Sequence, residues 1–303
     1  MEKDYVGRPK NTENVIMSTP KVQAIDINGT QLHYVELGRQ NKQSLIFVHG
    51  SLSDYRWWQF QVEPFAQRYR VIAYSRRGAF PNELQEDFHY TEGNDAVRQG
   101  ASDLTELIRK LDLAPVHMVG ISDGAFAALY LACQNPDQFR TLVFAEPAAL
   151  PVLAASNRQD DVKLIQNLWE GAFRPAKEAF DQGQFEEGVR IIGDAVMAKG
   201  FFDQLPPQVR QSVLQNVGEF HKQLEAEMPK EFRLQQLENI SSKPVLFVNG
   251  GQSPKFLIRI IEILTSKLPK SERLVIPGVT HELGLSSKPD VFNSYVLAFL
   301  AKN

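Results

Sequence analysis

The pattern of apolar and polar residues changes twice along the chain. Val22–Ile27 and Gln31–Glu36 alternate apolar and polar positions around Asn28-Gly29, which predicts a β-hairpin. After the hairpin, short continuous apolar runs, typical of buried strands, alternate with helical stretches. The strands predicted here are Ser44–Val48, Arg70–Tyr74, Pro115–Val119 and Thr141–Ala145, and the helices are Tyr55–Tyr69, Thr91–Leu111 and Ala125–Gln134. This alternation predicts an α/β protein with a mostly parallel sheet flanked by helices.

The alternation stops at residue 148, and only helical signals follow as far as residue 240. The predicted helices are Asp160–Phe173, Pro175–Phe180, Gly183–Met197, Pro207–Val217 and Glu219–Leu237. Strands and helices then resume, with strands at Pro244–Val248 and Arg273–Ile276 and helices at Pro254–Leu268 and Pro289–Leu300. We therefore expect a core made of residues 21–147 and 241–303, a helical cap or lid at 148–240, and a flexible arm at 1–20. The alternative is a separate helical domain that takes no part in the site.

Composition narrows the classes of partner. Of the 303 residues, 43% are hydrophobic and 23% are charged, so the chain can bury a sizeable core. The net charge of -3 disfavours nucleic acid and anionic membranes, which call for a basic face, and leaves small molecules as the expected partners. Cys133 is the only cysteine, so no disulfide forms within the chain. The chain contains no apolar run long enough to span a bilayer, and its first twenty residues are too polar for a secretory signal, which predicts a cytoplasmic protein.

The strongest chemical signal is the pentapeptide Gly120-Ile121-Ser122-Asp123-Gly124, which lies between a predicted strand and a predicted helix. A turn that leads a strand directly into a helix strains its central residue and requires small neighbours, which Gly120 and Gly124 provide. A frame centred on Asp123 would put Ile121 where a small residue is needed. Ser122 is therefore the candidate nucleophile.

Further landmarks follow in a fixed order. His49-Gly50 follows the third strand, Ser122 follows the fifth, a carboxylate follows a later strand, and His281 follows the last. In this order the chain resembles the α/β-hydrolase superfamily, specifically members with a helical cap inserted after the sixth strand, from about residue 22 to the C-terminus. The resemblance implies that Ser122 is the nucleophile and His281 its base, with oxyanion donors at the backbone N–H groups of Ser51 and Asp123.

The acidic member of the triad departs from the common pattern. Most relatives carry an aspartate after the seventh strand, but here that loop, Asn249 to Pro254, contains no carboxylate. Some relatives, including certain haloalkane dehalogenases and a fungal zearalenone lactonase, use a glutamate at the end of the sixth strand. Glu146 ends that strand here and is the predicted acid, with Glu282 and Asp290 as alternatives beside the histidine.

Aromatic residues suggest a bulky apolar substrate. We expect Trp169 and Phe173 of the cap, together with Trp57, Trp58 or both, to line the pocket; burial in a helix core is the alternative for the two adjacent tryptophans. The resemblance implies a serine hydrolase that cleaves a carboxylic ester or a lactone, including macrocyclic lactones such as macrolides. It implies no cofactor, since the chain contains neither a metal-ligand cluster nor a dinucleotide fingerprint. Oligomeric state stays open.

Other reactions occur on the same scaffold. C–C bond hydrolases, hydroxynitrile lyases, perhydrolases and amide hydrolases share this set of residues, and a ligand-binding receptor is the alternative outside enzymes. Dehalogenase and epoxide hydrolase chemistry is disfavoured, because both rely on an aspartate where this chain has Ser122.

Overall fold

The computed structural model describes residues 20–85, 87–91, 95–226 and 232–303, so residues 1–19 of the predicted arm lie outside the described part. One eight-stranded sheet has the order β1-β2-β4-β3-β5-β6-β7-β8. Its strands are β1 (Val22–Ile27), β2 (Thr30–Leu37), β3 (Ser44–Val48), β4 (Arg70–Tyr74), β5 (Val116–Ile121), β6 (Phe139–Ala145), β7 (Val245–Gly250) and β8 (Glu272–Ile276). The β1–β2 and β2–β4 pairs are antiparallel and the other pairs are parallel. The mostly parallel sheet expected from the alternating pattern is confirmed.

Helices cover both faces of this sheet. Those of the core are α1 (Val62–Ala66), α2 (Ala96–Lys110), α3 (Ser122–Gln134), α11 (Lys255–Lys267) and α12 (Pro289–Lys302). Those between β6 and β7 are α4 (Leu150–Ala154), α5 (Gln159–Leu168), α6 (Arg174–Asp181), α7 (Phe185–Val196), α8 (Phe201–Gln204), α9 (Pro207–Leu214) and α10 (Val217–Glu225). None of the helices in the described ranges is long and apolar enough to cross a membrane.

The central strands are buried throughout because both of their faces are covered. Every residue of β3, β5 and β7 is buried. Along β3, Ile46 and Val48 join the hydrophobic cluster on one face, whereas Leu45 and Phe47 join the cluster on the other. Strands buried on both faces lose the alternation of an amphipathic sheet, which is why these runs could be recognised in the sequence.

Several helix boundaries differ from those expected. The helix expected at Tyr55–Tyr69 is a 3-10 turn, Tyr55–Trp58, followed by the short helix α1. The helix expected at Thr91–Leu111 begins at Ala96, because the Asp95 carboxylate accepts hydrogen bonds from two backbone N–H groups of the first turn. The helix expected at Glu219–Leu237 ends at Glu225, and a 3-10 segment, Leu234–Ile240, precedes β7.

Polar contacts join the segment 148–240, called the cap below, to the core, and two ion pairs are among them. Glu219 of α10 pairs with Arg76, which follows β4, at 3.1 Å, and only 6% of the Arg76 side chain and 4% of the Glu219 side chain are exposed. Arg259 of α11 donates through Nε and Nη2 to the Asp161 carboxylate at 2.9 and 3.1 Å. Inside the cap, Phe180 and Phe220 pack edge to face.

Candidate active site

Ser122 lies at the turn between β5 and α3 with a backbone φ of 54°, a left-handed conformation that is uncommon outside glycine. Two neighbouring glycines make room for the turn. A Cβ atom on Gly124 would lie 2.1 Å from the carbonyl oxygen of His49, and one on Gly50 would lie 2.8 Å from the Cβ of Ser122. The loop after β3 therefore packs directly against the nucleophile turn, in the way that a strained strand-turn-helix junction requires.

Glu146 and His281 form a buried pair beside this turn. Glu146 follows β6, is fully buried, and has a positive φ of 45°. Its Oε2 lies 2.5 Å from Nδ1 of His281, and its Oε1 accepts a hydrogen bond from the N–H of Gly250 at 2.8 Å. The carboxylate thereby orients the imidazole and leaves Nε2 for a proton transfer.

Ser122 and His281 line one cavity, but no hydrogen bond joins the Ser122 hydroxyl to the imidazole in this structure. Such bonds are often long before a substrate binds. The backbone still ties the nucleophile turn to the acid loop, since the carbonyl of Ser122 accepts a hydrogen bond from the N–H of Ala148 at 3.1 Å.

Asn249 and Gly250, expected in the loop after the seventh strand, instead form the end of β7 and have a packing role. Asn249 accepts a hydrogen bond from Nε of Arg273 at 2.9 Å and donates to the carbonyl of Gly250. A Cβ atom on Gly250 would lie 2.4 Å from the carbonyl of Val279 and 2.6 Å from that of Thr280. Glycine therefore lets the end of β7 approach the turn that carries His281.

The two alternative acids are occupied elsewhere. Glu282 accepts hydrogen bonds from the backbone N–H groups of Gly284, Ser286 and Ser287. Although burial opposes it, the hydrogen bonding from Ser286 and Ser287 keeps the pKa of Glu282 below its ordinary value. Asp290 is exposed in the first turn of α12. Neither carboxylate contacts His281 among the hydrogen bonds of the described residues.

The two expected oxyanion donors belong to the loop after β3 and to the first turn of α3. The backbone N–H groups of Ser51 and Asp123 have no acceptor among the described residues, so both can donate to a ligand. Their side chains also meet, because the Ser51 hydroxyl donates to Oδ2 of Asp123. The hydrogen bond brings the loop after β3 onto the first turn of α3.

His49 holds the same loop in place. Its Nε2 accepts the backbone N–H of Arg76 at 2.8 Å, and Nδ1 lies 2.7 Å from the carbonyl of Gly50. Burial, together with the charge of Arg76, lowers the pKa of His49 to about 3, so the ring is neutral and serves as a structural link.

The cavity above Ser122 has a volume of about 240 Å³. Its lining includes three of the predicted pocket residues, Trp57, Trp169 and Phe173, together with other apolar residues of the cap, Ile192, Phe202, Leu205 and Phe220. The expectation for Trp58 is wrong. Its side chain is fully buried and stacks on Phe47 at a centroid distance of 4.6 Å, because consecutive residues of a 3-10 turn face different sides.

Polar residues also line the cavity, and two of them, Arg76 and Gln223, were not identified as binding residues. Arg76 follows β4, and Gln223 of α10 resembles any glutamine of an amphipathic helix. Only the packing of the cap onto the core brings them to the cavity.

One group of potential metal ligands lies apart from this site, on the cap. Asp181, His221 and Glu225 bring one ligand atom each within 4.8 Å of one another. Lys177 pairs with Asp181 at 2.7 Å and Lys222 with Glu225 at 3.1 Å, so the carboxylates that a cation would need are already neutralised.

Proteins of known sequence and structure share this arrangement of elements. The 3-oxoadipate enol-lactonase 2 of Acinetobacter baylyi is 24% identical over 273 residues, covering 89% of this chain and 93% of that protein. For 3-oxoadipate enol-lactonase 1 of the same organism the identity is 27%, over 40% of that protein's length and 37% of this chain. Among solved structures, carboxylesterase CesB of Bacillus subtilis has a TM-score of 0.69 at 19% identity, covering 95% of this chain and 93% of that chain. A mutant epoxide hydrolase of Bacillus megaterium has a TM-score of 0.71 at 16% identity, covering 92% of this chain and all of that one.

The family model described as the alpha/beta hydrolase fold matches residues 43–287, well over half of the chain. With the strand order, the serine turn and the glutamate–histidine pair in place, we conclude that the chain belongs to the α/β-hydrolase family.

Proposed function

We propose that the protein is a serine hydrolase that cleaves a carboxylic ester or lactone of a bulky, largely apolar small molecule. The observation that carries this proposal is the buried 2.5 Å contact between Glu146 and Nδ1 of His281, on a histidine that shares a cavity with Ser122. Relatives named as enol-lactonases support the ester-hydrolase class.

The reaction proceeds through an acyl-enzyme. Oγ of Ser122 attacks the carbonyl carbon while its proton passes to Nε2 of His281, and the N–H groups of Ser51 and Asp123 stabilise the oxyanion. As the acyl–oxygen bond breaks, the imidazolium returns the proton to the leaving alkoxide, which departs as an alcohol or, from a lactone, stays tethered to the acyl group. Water then attacks the acyl-enzyme, giving its proton to His281, and the carboxylic acid leaves as Ser122 recovers its proton.

The size and lining of the cavity favour a bulky substrate. A buried water needs roughly 10–15 Å³ of such space, so a cavity of about 240 Å³ accommodates a substrate well above acetate size. Trp57, Trp169 and Phe173 supply apolar surface for it. Macrocyclic lactones are one class of compound with these properties and belong in the test panel.

No observation favours the other chemistries of this scaffold over ester hydrolysis. Epoxide hydrolases are among the structural neighbours, but likeness at 16% identity reflects the fold alone. Ser122 at the nucleophile position opposes that reaction, which uses an aspartate there.

The proposal is tested by assaying p-nitrophenyl esters of increasing acyl length and a set of small and macrocyclic lactones. We expect wild type to hydrolyse bulky apolar members and Ser122→Ala to lose at least about 10⁴-fold in kcat. The exposed Ser294, whose hydroxyl contacts only the carbonyl of Val291, supplies the matched control Ser294→Ala, which keeps full activity. A receptor would show saturable binding without turnover, and turnover that survives in Ser122→Ala would overturn the proposed nucleophile.

A further inference from the structure

Next to Ser122, one wall of the apolar cavity carries four polar side chains, those of Ser51, Arg76, Asp123 and Gln223, here called the polar patch. They come from four separate parts of the fold: the loop after β3, the loop after β4, the start of α3, and α10 of the cap. Polar groups away from solvent normally have hydrogen-bond partners. Comparing the partners of each polar side chain therefore shows which group of the patch can still accept or donate a hydrogen bond.

Asp123 has fewer partners than the other carboxylates that line the cavity. Asp95 accepts two backbone N–H groups and pairs with Arg98, and Glu282 accepts hydrogen bonds from three backbone N–H groups and two hydroxyls. Asp123 accepts one hydrogen bond from the described residues, from the Ser51 hydroxyl to Oδ2, and its Oδ1 accepts none. An ionised carboxylate offers about four acceptor positions, so Asp123 keeps capacity for a further donor.

The neighbouring groups in the described part of the chain do not supply that donor. Arg76 attracts Asp123 electrostatically, but its guanidinium donates to Oε1 of Glu219 at 3.1 Å and to the carbonyl of His49 at 3.4 Å. Gln223 donates through its Nε2 to Glu219. This hydrogen bond directs Oε1 of Gln223, an acceptor, toward the Ser51 hydroxyl at 3.1 Å. The polar patch therefore presents hydrogen-bond acceptors to the cavity. The buried guanidinium of Arg76 attracts the carboxylates of both Glu219 and Asp123.

The location of the patch limits where a ligand donor would sit. Ser51 and Asp123 are the two residues whose backbone N–H groups are the proposed oxyanion donors, and their side chains meet beside Ser122. We therefore expect a substituent that reaches Asp123 to lie close to the ester carbonyl.

Taking the proposed ester hydrolysis as its basis, we propose that the polar patch is a specificity site for a hydrogen-bond donor, a hydroxyl or an ammonium group, next to the scissile carbonyl. Asp123 accepts from this group through Oδ1, with Gln223 as a second acceptor. The apolar remainder of the substrate fills the cap side of the cavity. The substrate class is thus a bulky ester or lactone with a hydroxyl or amino substituent near its carbonyl.

The test uses pairs of aryl esters that are alike except for one group at C2 or C3 of the acyl chain. One pair compares a hydroxyl with a methyl group, and the other compares an ammonium with a methyl group. We expect wild type to prefer the donor by about 10- to 100-fold in kcat/KM in one of the two pairs. The pair that shows the preference identifies the natural donor. Because both members of a pair react through the same chemical steps, a change that affects those steps equally leaves the ratio of their kcat/KM values unchanged.

Variants assign the preference to Asp123. We expect Asp123→Ala to lower the ratio to near one. Asp123→Asn, which keeps an acceptor without the charge, abolishes a preference for ammonium but keeps part of a preference for hydroxyl. Asp137→Asn is the matched control, because Asp137 is exposed and its nearest cation, Lys243, lies 3.9 Å away; its ratio stays at the wild-type value.

Each outcome bears on one proposal at a time. Equal turnover of both members in both pairs by wild type, or an unchanged ratio in Asp123→Ala, overturns the specificity site while leaving ester hydrolysis in place. No turnover of any ester, methyl compounds included, overturns the proposed function instead. The wild-type ratios decide the question even where a variant fails to fold.

Discussion

Glu146 reaches His281 by adopting a backbone conformation that non-glycine residues seldom take, with a φ of 45° directly after β6. A positive φ at such a residue costs on the order of 1–3 kcal/mol and persists only where its surroundings enforce it. Here the N–H of Glu146 donates to the carbonyl of Val248 at 3.0 Å, and Oε1 accepts the N–H of Gly250. Strand β7 thus holds the carboxylate in place although it contributes no acid of its own.

Replacing Glu146 by glutamine tests that role. Glutamine has the same size, but its amide can donate to Nδ1 of His281 and so favours the wrong tautomer, which should lower kcat by about 10⁴-fold. We expect Glu146→Gln to lose this activity in ester hydrolysis assays while its melting temperature stays near that of wild type.

The control for this change is Glu238→Gln, at an exposed glutamate of the cap with no ion pair among the described residues. It should keep wild-type kcat. Nearly full activity in Glu146→Gln would mean that another group orients the histidine.

Single residues differ in how far the sequence predicts their surroundings. Ser122 directly follows β5 and His281 lies in the segment after β8, so their place at the carboxyl edge of the sheet could be anticipated. Trp57 and Trp58 are adjacent in sequence, and only the 3-10 turn decides which one faces the cavity. The environment of Asp123 depends on Ser51 and on α10, which are far away in the chain, and no local pattern reports such a contact.

At the scale of elements, the site depends on how closely α3 approaches the loop after β3. Gly124 allows that approach, since a Cβ atom there would lie 2.1 Å from the carbonyl of His49. We expect Gly124→Ala to push helix and loop apart, to lower the free energy of unfolding by about 3 kcal/mol or more, and to reduce kcat/KM at least 100-fold. Urea titration and the ester assay measure the two effects.

Gly171 offers a matched comparison. It lies in the π-helical turn Trp169–Phe173, and a Cβ atom there would have no neighbour within 4 Å. Gly171→Ala should leave stability unchanged or raise it by about 0.5–1 kcal/mol. If Gly124→Ala and Gly171→Ala had the same effects, close packing at Gly124 would not be what holds the loop after β3 against α3.

Elements were predictable where burial alone determines them. The strands β3 and β4 have the bounds expected from their apolar runs. Helices of the cap were less predictable: α5 continues through the π-helical turn into α6, and α10 ends at Glu225. Tertiary packing of large aromatic residues sets these boundaries, and a periodic pattern does not report it.

At the scale of the whole molecule, two buried histidines make stability depend on pH. Burial is the main cause that lowers the pKa of His49 to about 3 and that of His117 to about 4. In the unfolded chain both titrate near 6.5. Below that pH the unfolded state binds more protons, so stability is complete above about pH 6.5 and falls as the pH drops toward 4 and then 3.

We expect the free energy of unfolding in urea to be about 1 kcal/mol lower per histidine at pH 5.5 than at pH 7. Both pH values lie above the ordinary range of carboxyl groups, which limits their contribution. His117 contacts Thr141 and Tyr69 away from the site, so His117→Gln should remove roughly half of the pH effect without changing the catalytic residues. Equal stability at the two pH values in wild type would contradict the buried neutral state of these rings.

Two parts of the chain line the cavity: the proposed catalytic residues belong to the core, and most of the apolar lining belongs to the cap. A molecule that fills it stabilises the folded state in proportion to its affinity, by mass action. Ser122→Ala would keep this cavity but leave a bound ester intact. A thermal-shift screen of metabolite libraries on that variant can therefore identify ligands by the melting temperature they raise, before any product has been assayed.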